Sequence, residues 1–394
     1  MTGLIKYYAH MLKMANKYRG HISDQIFYRL KEGKIKSAYN YIWTILFTKE
    51  EGAGLADKLF LINPDLAPYP GRIELEVTTK CSLRCEKCEH TYWNEQEEDL
   101  SYEKFKHVIG QFPKLKAISL SGIGHGFHNP EYMKMLRYVK SKSIFTQFFD
   151  PFLLINEQRA REIVKIGIDK IWMSLDAATE DTYKKVQAGS DFDTVIRNAK
   201  KLIEIKKELR SPYPELAFHF IITEKNVHEM PMYIDLVEEI TQGTQKLNIV
   251  QFTKLIPFKE NMHLMPEIPK KIIDDTRRKA RKYKHFRVDF FNVQGKPPIC
   301  ECTAWTVPFI TVDGSIYPCC TLTEGNLRPF FTNVFGNVFQ TDFKKVWESK
   351  EFKKFIWAMH FGKVPHLCYY PRPCTIFSIE GEKLENVGRV GAIK

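Results

Sequence analysis

Nine cysteines fall into two groups along this chain. The first lies in CSLRCEKCEH, residues 81–90, where Cys81, Cys85 and Cys88 are separated by three and then two residues. Thiolate is a soft ligand that selects zinc or iron–sulfur clusters. Three thiolates can hold a [4Fe–4S] cube and leave one iron open to a further ligand. The same residues allow two other readings. His90 could close a Cys3His zinc site, although it follows Cys88 at a cramped spacing, or the thiols could be unconnected core residues. The second group is Cys300, Cys302, Cys319, Cys320, Cys368 and Cys374. A fully cysteine-ligated [4Fe–4S] cluster needs four thiolates, so six support one complete cluster with two to spare. Disulfides are the competing reading of this group.

The elements that must carry these residues follow from hydrophobic pattern. Apolar runs RIELEVTT, KAISLSG, SIFTQFF, KIWMSLD, LAFHFIIT and KLNIVQFT alternate with stretches of helical spacing such as NEQRAREIVKIG and DTVIRNAKKLIEIKKEL. Alternating strand and helix predicts a parallel sheet, open or closed into a barrel, and about six such units fit before residue 260. The first cysteine group then sits in the loop at the C-terminal end of the first strand, where α/β folds place their chemistry. Residues 1–68 read as a helical extension ending in the proline-rich NPDLAPYPG. Residues 69–265 form the repeating domain, 266–299 a linker with a helix, and 300–394 a small domain of short segments organised by metal.

Composition narrows the class. With 394 residues, 44% of them hydrophobic, the chain is long enough for a large core and is not of disordered type. The start, MTGLIKYYAHMLKMANKYRG, lacks the features of a secretory signal, which predicts a cytoplasmic protein with reduced thiols. The apolar stretch Tyr39–Phe47 is too short to cross a bilayer, so no transmembrane segment is expected. The net charge of +12 is scattered over helix faces, and no nucleic-acid motif accompanies it, so nucleic acid is not an expected partner.

CxxxCxxC after a first strand resembles the cluster loop of the radical S-adenosylmethionine (SAM) enzymes. The resemblance implies a partial (β/α)6 TIM-like barrel. It also implies a cluster whose open iron binds SAM, and cleavage of SAM to methionine and a 5′-deoxyadenosyl radical that abstracts hydrogen from substrate. LSGIGHGFHNPEY resembles the family's glycine-rich segment, so Gly122 and Gly124 would let backbone approach the methionine part of SAM. In that segment His125 stands where Glu is usual and Gly126 where Pro is usual; a neutral His125 could accept a hydrogen bond from the SAM ammonium. IFTQFFDPFLL resembles the third-strand segment, with Gln147 and Phe148 replacing its Asn and Gly. WMSLDAATEDTYKKVQAG resembles the fourth-strand segment, which would put Ser174 and Asp176 near the ribose, while a helix-cap role for Asp176 is compatible. Lys87 occupies a place where an aromatic or aliphatic residue often covers the adenine.

CTAWTVPFITVDGSIYPCC, followed by GNVFQTDFKKVWESKEFKKF and HLCYYPRPC, resembles the SPASM or shorter twitch-type extension of radical SAM maturases and dehydrogenases. It implies one auxiliary [4Fe–4S] cluster on Cys302, Cys319, Cys368 and Cys374, in the Gly-x4-Cys register from Gly314, with Cys300 and Cys320 as substitutes. A fully capped cluster carries an electron away, so net oxidation is expected. The first reading of the substrate is a peptide or protein side chain, with the N-terminal extension holding the polypeptide. The second is dehydrogenation of a small molecule such as a sugar alcohol. A third, lipid-directed reading sets Tyr7, Tyr8, Met11 and Leu12 opposite Lys6, Lys13 and Lys17, although packing on the barrel also explains that face. A low-potential electron donor such as ferredoxin or flavodoxin is the implied partner. A non-catalytic iron–sulfur scaffold stands as the alternative to an enzyme. No catalytic acid or base is assigned: His128, Tyr92, Asp150 and Glu224 lie near strand ends, where surface or capping roles are equally open.

Overall fold

The computed structural model describes residues 20–47, 57–92, 94, 96–293, 299–323, 334–369, 374 and 383–385. Helix α1 covers 20–31 of these, followed by α2 (Ile35–Phe47) and α3 (Asp57–Ile62). Strands and helices then alternate as β1 (Arg72–Leu75), α4 (Tyr102–Gly110), β2 (Ala117–Leu120), α5 (Tyr132–Ser141), β3 (Phe145–Asp150), α6 (Glu157–Ile166) and β4 (Lys170–Ser174). The series continues through α7 (Glu180–Val186), α8 (Phe192–Glu208), β5 (Glu215–Ile222), α9 (Met230–Thr241), β6 (Asn248–Lys254), α10 (Lys270–Lys282) and β7 (Phe286–Phe291). The C-terminal part holds β8 (Phe309–Ile310), β9 (Ile316–Tyr317), α11 (Phe343–Trp347), α12 (Lys350–His360), β10 (Lys363–Pro365) and β11 (Lys383–Glu385).

Strands β1 to β7 are parallel and lie in sequence order, forming the wall of a partial barrel. Helix-side residues Ile73, Leu75, Ile118, Phe148, Ile171 and Phe218 join the main core with the helices. Alternate residues face the other way, and there Trp172, Ala217, Leu247 and Ile249 pack with Phe149. Local signals fix the helix ends. Asn156 accepts the Arg159 amide at 3.0 Å to start α6, and Gly167, at φ +71°, ends it in a left-handed turn.

The barrel has seven parallel strands where about six units were expected. Residues 266–299, read as linker and helix, supply α10 and then β7, which pairs with β6. The run FRVDFF alternates Arg287 and Asp289 with apolar residues, as suits the edge of a sheet, and the two charges pair at 2.8 Å. At the opposite edge β8 pairs in parallel with β1, matching Glu74 to Phe309, and β9 folds back against β8. Gly314 makes that turn possible: its φ is +88°, and a Cβ there would lie 2.4 Å from the Phe339 ring. The C-terminal part is thus hydrogen-bonded into the barrel sheet.

Helices α1 and α2 lie across the N-terminal ends of the strands. Tyr41 packs on Ala117 and Phe145, the first residues of β2 and β3, with Ile22, Ile26 and Ile45 around them. Buried Arg29 bonds Asp169, just before β4, at 2.6 Å and stacks on the rings of Tyr41 and Tyr213. Lys140 shares the same carboxylate, and His21 approaches Glu215 at 3.3 Å. Residues 20–47 therefore close the end of the barrel remote from the cysteine loop, rather than standing where they could hold a polypeptide beside it. Tyr7, Tyr8, Met11 and Leu12, with Lys6, Lys13 and Lys17, fall outside the described residues. No described helix is long and apolar enough to cross a membrane.

Candidate metal centres and cofactor site

Cys81, Cys85 and Cys88 occupy the loop beyond the C-terminal end of β1. Inside it, the Cys85 carbonyl accepts the Cys88 amide at 2.9 Å and the Thr91 hydroxyl at 2.7 Å, which curls the three thiols toward one another. Neighbouring loops hold it from outside. The Arg84 amide donates to Ala188 O at 2.8 Å, the His125 amide to Lys80 O at 2.8 Å, and the Ser82 amide to His128 Nε2 at 3.2 Å. Gly189, at φ +87°, allows the first contact, since a Cβ there would lie 3.2 Å from Ser82 O.

The thiols suit a soft cationic cluster. Burial and the neighbouring thiols push Cys81 up to about 11 and Cys88 up to about 12, and burial likewise raises Cys85. Iron would supply the positive charge that lets them ionise. The Leu83 amide already points at Cys81 Sγ, at 3.4 Å. The zinc alternative is not formed: His90 Nε2 lies 2.9 Å from Thr79 O and 3.3 Å from Glu97. Among the described residues, no three His, Cys, Asp or Glu side chains are placed to share a single metal ion. Thiols around a four-iron cube do not converge on one point.

Gly122 and Gly124 carry the β2 loop against the chain that leads to the cysteines. A Cβ on Gly122 would lie 2.4 Å from Glu76 Oε1, and one on Gly124 would lie 2.3 Å from Thr78 O. Any side chain would force the loops apart. Glu76 binds this junction together, accepting the Ile123 amide at 2.9 Å and, from the C-terminal part, the Val312 amide at 3.2 Å. His125, beside them, is buried with Nε2 2.8 Å from Asp150 Oδ2, while Asp150 Oδ1 accepts the Phe152 amide at 2.6 Å. The carboxylate selects the Nε2–H tautomer, leaving Nδ1 as a buried acceptor with no protein donor. Such an acceptor fits an ammonium group. Asp150, given no role from sequence, is the residue that orients it.

Ser174 ends β4 half-buried, and its carbonyl accepts the Gln187 amide nitrogen at 3.1 Å. Asp176, two residues on, has both carboxylate oxygens engaged: Oδ2 by Lys87 Nζ at 2.7 Å and Oδ1 by the Ile221 amide at 2.6 Å. Burial alone would lower the Lys87 pKa, but Asp176 and the Cys85 thiol outweigh it and hold the ammonium above its ordinary value. Gln147 is buried with both amide atoms unpaired, whereas Phe148 turns to the helix side, edge-on to Phe127 and Tyr132. Of the other strand-end residues, His128 bonds Ser82, Tyr92 donates to Glu86 O at 3.2 Å, and the Glu224 amide bonds Leu264 O at 3.0 Å.

In the C-terminal part, Cys302, Cys319, Cys368 and Cys374 come together. Burial first, and then the thiols of Cys302, Cys319 and Cys374, push Cys368 well above the usual thiol range; Cys319 is raised by burial and by Cys302 and Cys374. The Cys374 amide donates to Cys368 O at 2.8 Å, and Trp305 Nε1 to Cys302 O at 3.1 Å. Cys320 opens a short 3-10 turn and Cys300 lies within another. None of the nine cysteines is joined to another in a disulfide, so that alternative is not formed.

Residues 75–237 match the Radical SAM superfamily, and residues 300–375 match SPASM, an iron–sulfur cluster-binding domain. The chain is 23% identical over 302 residues to the tungsten-containing aldehyde ferredoxin oxidoreductase cofactor-modifying protein of Pyrococcus furiosus, covering 71% of this chain and 82% of that protein. It is 24% identical over 265 residues to a probable GTP 3′,8-cyclase of Methanococcus maripaludis, covering 64% and 86%. Among solved structures, Streptococcus suis SuiB bound to S-adenosylmethionine superposes with a TM-score of 0.62 at 13% identity, covering 92% of this chain and 88% of SuiB. SuiB bound to its precursor peptide SuiA gives 0.60 at 12% identity, covering 93% and 89%. At these identities the likeness to SuiB is one of fold.

Proposed function

The chain belongs to the radical SAM superfamily and carries a SPASM iron–sulfur domain, and from that premise we propose that it oxidises a side chain of a peptide or protein. It is an enzyme that uses S-adenosylmethionine and [4Fe–4S] clusters. When bound, the cluster on Cys81, Cys85 and Cys88 supplies the electron that cleaves SAM and yields the 5′-deoxyadenosyl radical. Gly122 and Gly124 keep the loop backbone close to the methionine end of SAM, and His125 Nδ1, oriented by Asp150, accepts from its ammonium. Ser174 lines the ribose side. Asp176 supports that loop through Lys87 and the Ile221 amide, and its two oxygens keep acceptor sites for the diol.

The observation that carries oxidation is the four-thiol set of Cys302, Cys319, Cys368 and Cys374. Four cysteines cap every iron, so that site offers an electron acceptor and no place for substrate. With a cluster held by Cys302, Cys319, Cys368 and Cys374 to take up one electron, a substrate that has lost one hydrogen atom would lose that electron and one proton to solvent or a base, a net loss of two hydrogens. A peptide substrate is supported by SuiB, which shares this fold along most of both chains and is known with a bound precursor peptide. The cofactor-modifying and GTP 3′,8-cyclase relatives support a second reading, a small polar molecule.

The reconstituted protein, kept anaerobic with SAM and a low-potential reductant, should form 5′-deoxyadenosine faster on addition of a cell extract. Protease treatment of the extract should remove the stimulation. Stimulation that survives protease and passes a peptide-retaining membrane would overturn the peptide reading in favour of the second. No 5′-deoxyadenosine from a protein with both clusters loaded, with extract as without it, would return the scaffold reading.

A further inference from the structure

Strands β1 to β7 carry one histidine, His219 on β5. Phe218 and Phe220 on either side of it lie in the core under the helices, so His219 points into the barrel. It pairs in register with Ser174 of β4, which sets it toward the end of the barrel where the cysteine loop and the ribose side of the cofactor site lie. Helices cover the outer face of the sheet, yet His219 is only half-buried, so its open part faces the barrel interior. One layer deeper, Trp172, Ala217 and Ile249 pack with Phe149, whose ring meets the imidazole edge-on at 5.5 Å. The interior thus has an apolar floor with a titratable group above it.

The hydrogen bonds of His219 leave one nitrogen free. Nε2 lies 2.9 Å from Thr253 Oγ1 on β6, and that oxygen also accepts from Gln251 Nε2 at 3.2 Å. With the imidazole proton on Nε2, donated to Thr253, Nδ1 is an acceptor without a protein donor among the described residues. Charged groups on the same face of neighbouring strands are paired, Lys170 with Glu215 at 3.9 Å and Arg287 with Asp289 at 2.8 Å. Burial holds His219 below its ordinary value of 6.5; Asp176 raises it and Lys87 lowers it in smaller measure, while β3 and β6 meet it with the neutral Phe149 and Thr253. At neutral pH it is an uncharged base.

We propose that His219 Nδ1 takes the proton in the oxidation put forward above, on which this inference rests. The group oxidised is then a carbon bearing an N–H, O–H or S–H. After hydrogen abstraction the carbon radical gives one electron to the cluster held by Cys302, Cys319, Cys368 and Cys374. The bond from the heteroatom to hydrogen breaks, its proton goes to Nδ1, and the two electrons that remain form the carbon–heteroatom double bond. The imidazolium returns the proton to solvent.

The reconstituted full chain tests this with SAM, a low-potential reductant and the cell-extract fraction that stimulates SAM cleavage in the parent. Product lighter by two hydrogens is counted per 5′-deoxyadenosine formed. In His219→Ala that ratio should fall about 100-fold, and added imidazole should restore it. In the parent the ratio should fall as pH drops through the imidazole pKa, below 6.5, and the variant should lack this dependence. On the unreduced full chain, nitrogen NMR, assigned by the signal lost in His219→Ala, should show Nδ1 unprotonated at neutral pH. An unchanged ratio, a fall that imidazole does not restore, loss of SAM cleavage altogether in the variant, or a proton on Nδ1 would overturn the proposal. A parent that cleaves SAM but yields no lighter product breaks the oxidation reading itself, and the role of His219 with it.

Discussion

Cys81, Cys85 and Cys88 meet across a single loop, whereas Cys302, Cys319, Cys368 and Cys374 come from segments that only the folding of the C-terminal part unites. The first set owes its geometry to a turn of a few residues and to loops packed on it through Gly124 and Gly189. The second is pressed against the main core, with Trp305 beside Cys302. The contrast teaches that three ligands close together in one loop can leave an iron open to a further ligand, although burial raises all three thiols. A capped centre that only passes electrons can be enclosed from all sides.

Substituting Cys81, Cys85 and Cys88 together by Ala should have the largest effect: about half the iron lost and no 5′-deoxyadenosine formed, by iron assay and chromatography. Cys368→Ala should split what the triple change cannot. Auxiliary iron should go, SAM cleavage should persist, and the oxidised product, followed by its mass, should vanish. Equal loss of SAM cleavage would falsify the division of labour between the two sets.

The sealed end of the barrel gives a third point of reference, with no cysteine at all. Arg29→Met should cost about 3 kcal/mol in a denaturant titration, because it leaves part of a buried charge cluster uncompensated. Iron content should stay at the parent level, setting stability at one end apart from chemistry at the other. Acid should act at the same place. Burial would raise the Asp169 pKa, but Lys140 and Arg29 overcome this and hold it below its ordinary value of 3.8. A depressed carboxyl stabilises the fold above its unfolded pKa, and that contribution is lost as pH falls through the folded one. Thermal melts should therefore fall in this acid range, less steeply in Asp169→Asn. The smallest change, Asn156→Ala at the start of α6, should cost about 1 kcal/mol and alter neither centre.

Strands β1 to β6 were legible because parallel strands covered on both sides are short apolar runs. The cysteine loop was legible because its ligands are local. The edge strand β7 escaped because Arg287 and Asp289 interrupt its apolar run, although the alternation in FRVDFF carries a strand signal. The Asp150–His125 and Lys87–Asp176 partnerships could not be read at all: each depends on which strand ends come to lie side by side. Amphipathic spacing in residues 20–47 shows that one face is covered, but not that it covers the starts of β2 and β3.

Because β8 is bonded in register to β1, and Glu76 ties both to the loop after β2, the two sulfur-lined centres are mounted on one rigid ruler. A slip of two residues in that pairing would move one centre along the sheet by about 7 Å. The distance an electron must cross is thus written in strand registry, and swinging one domain away could not lengthen it without breaking the sheet.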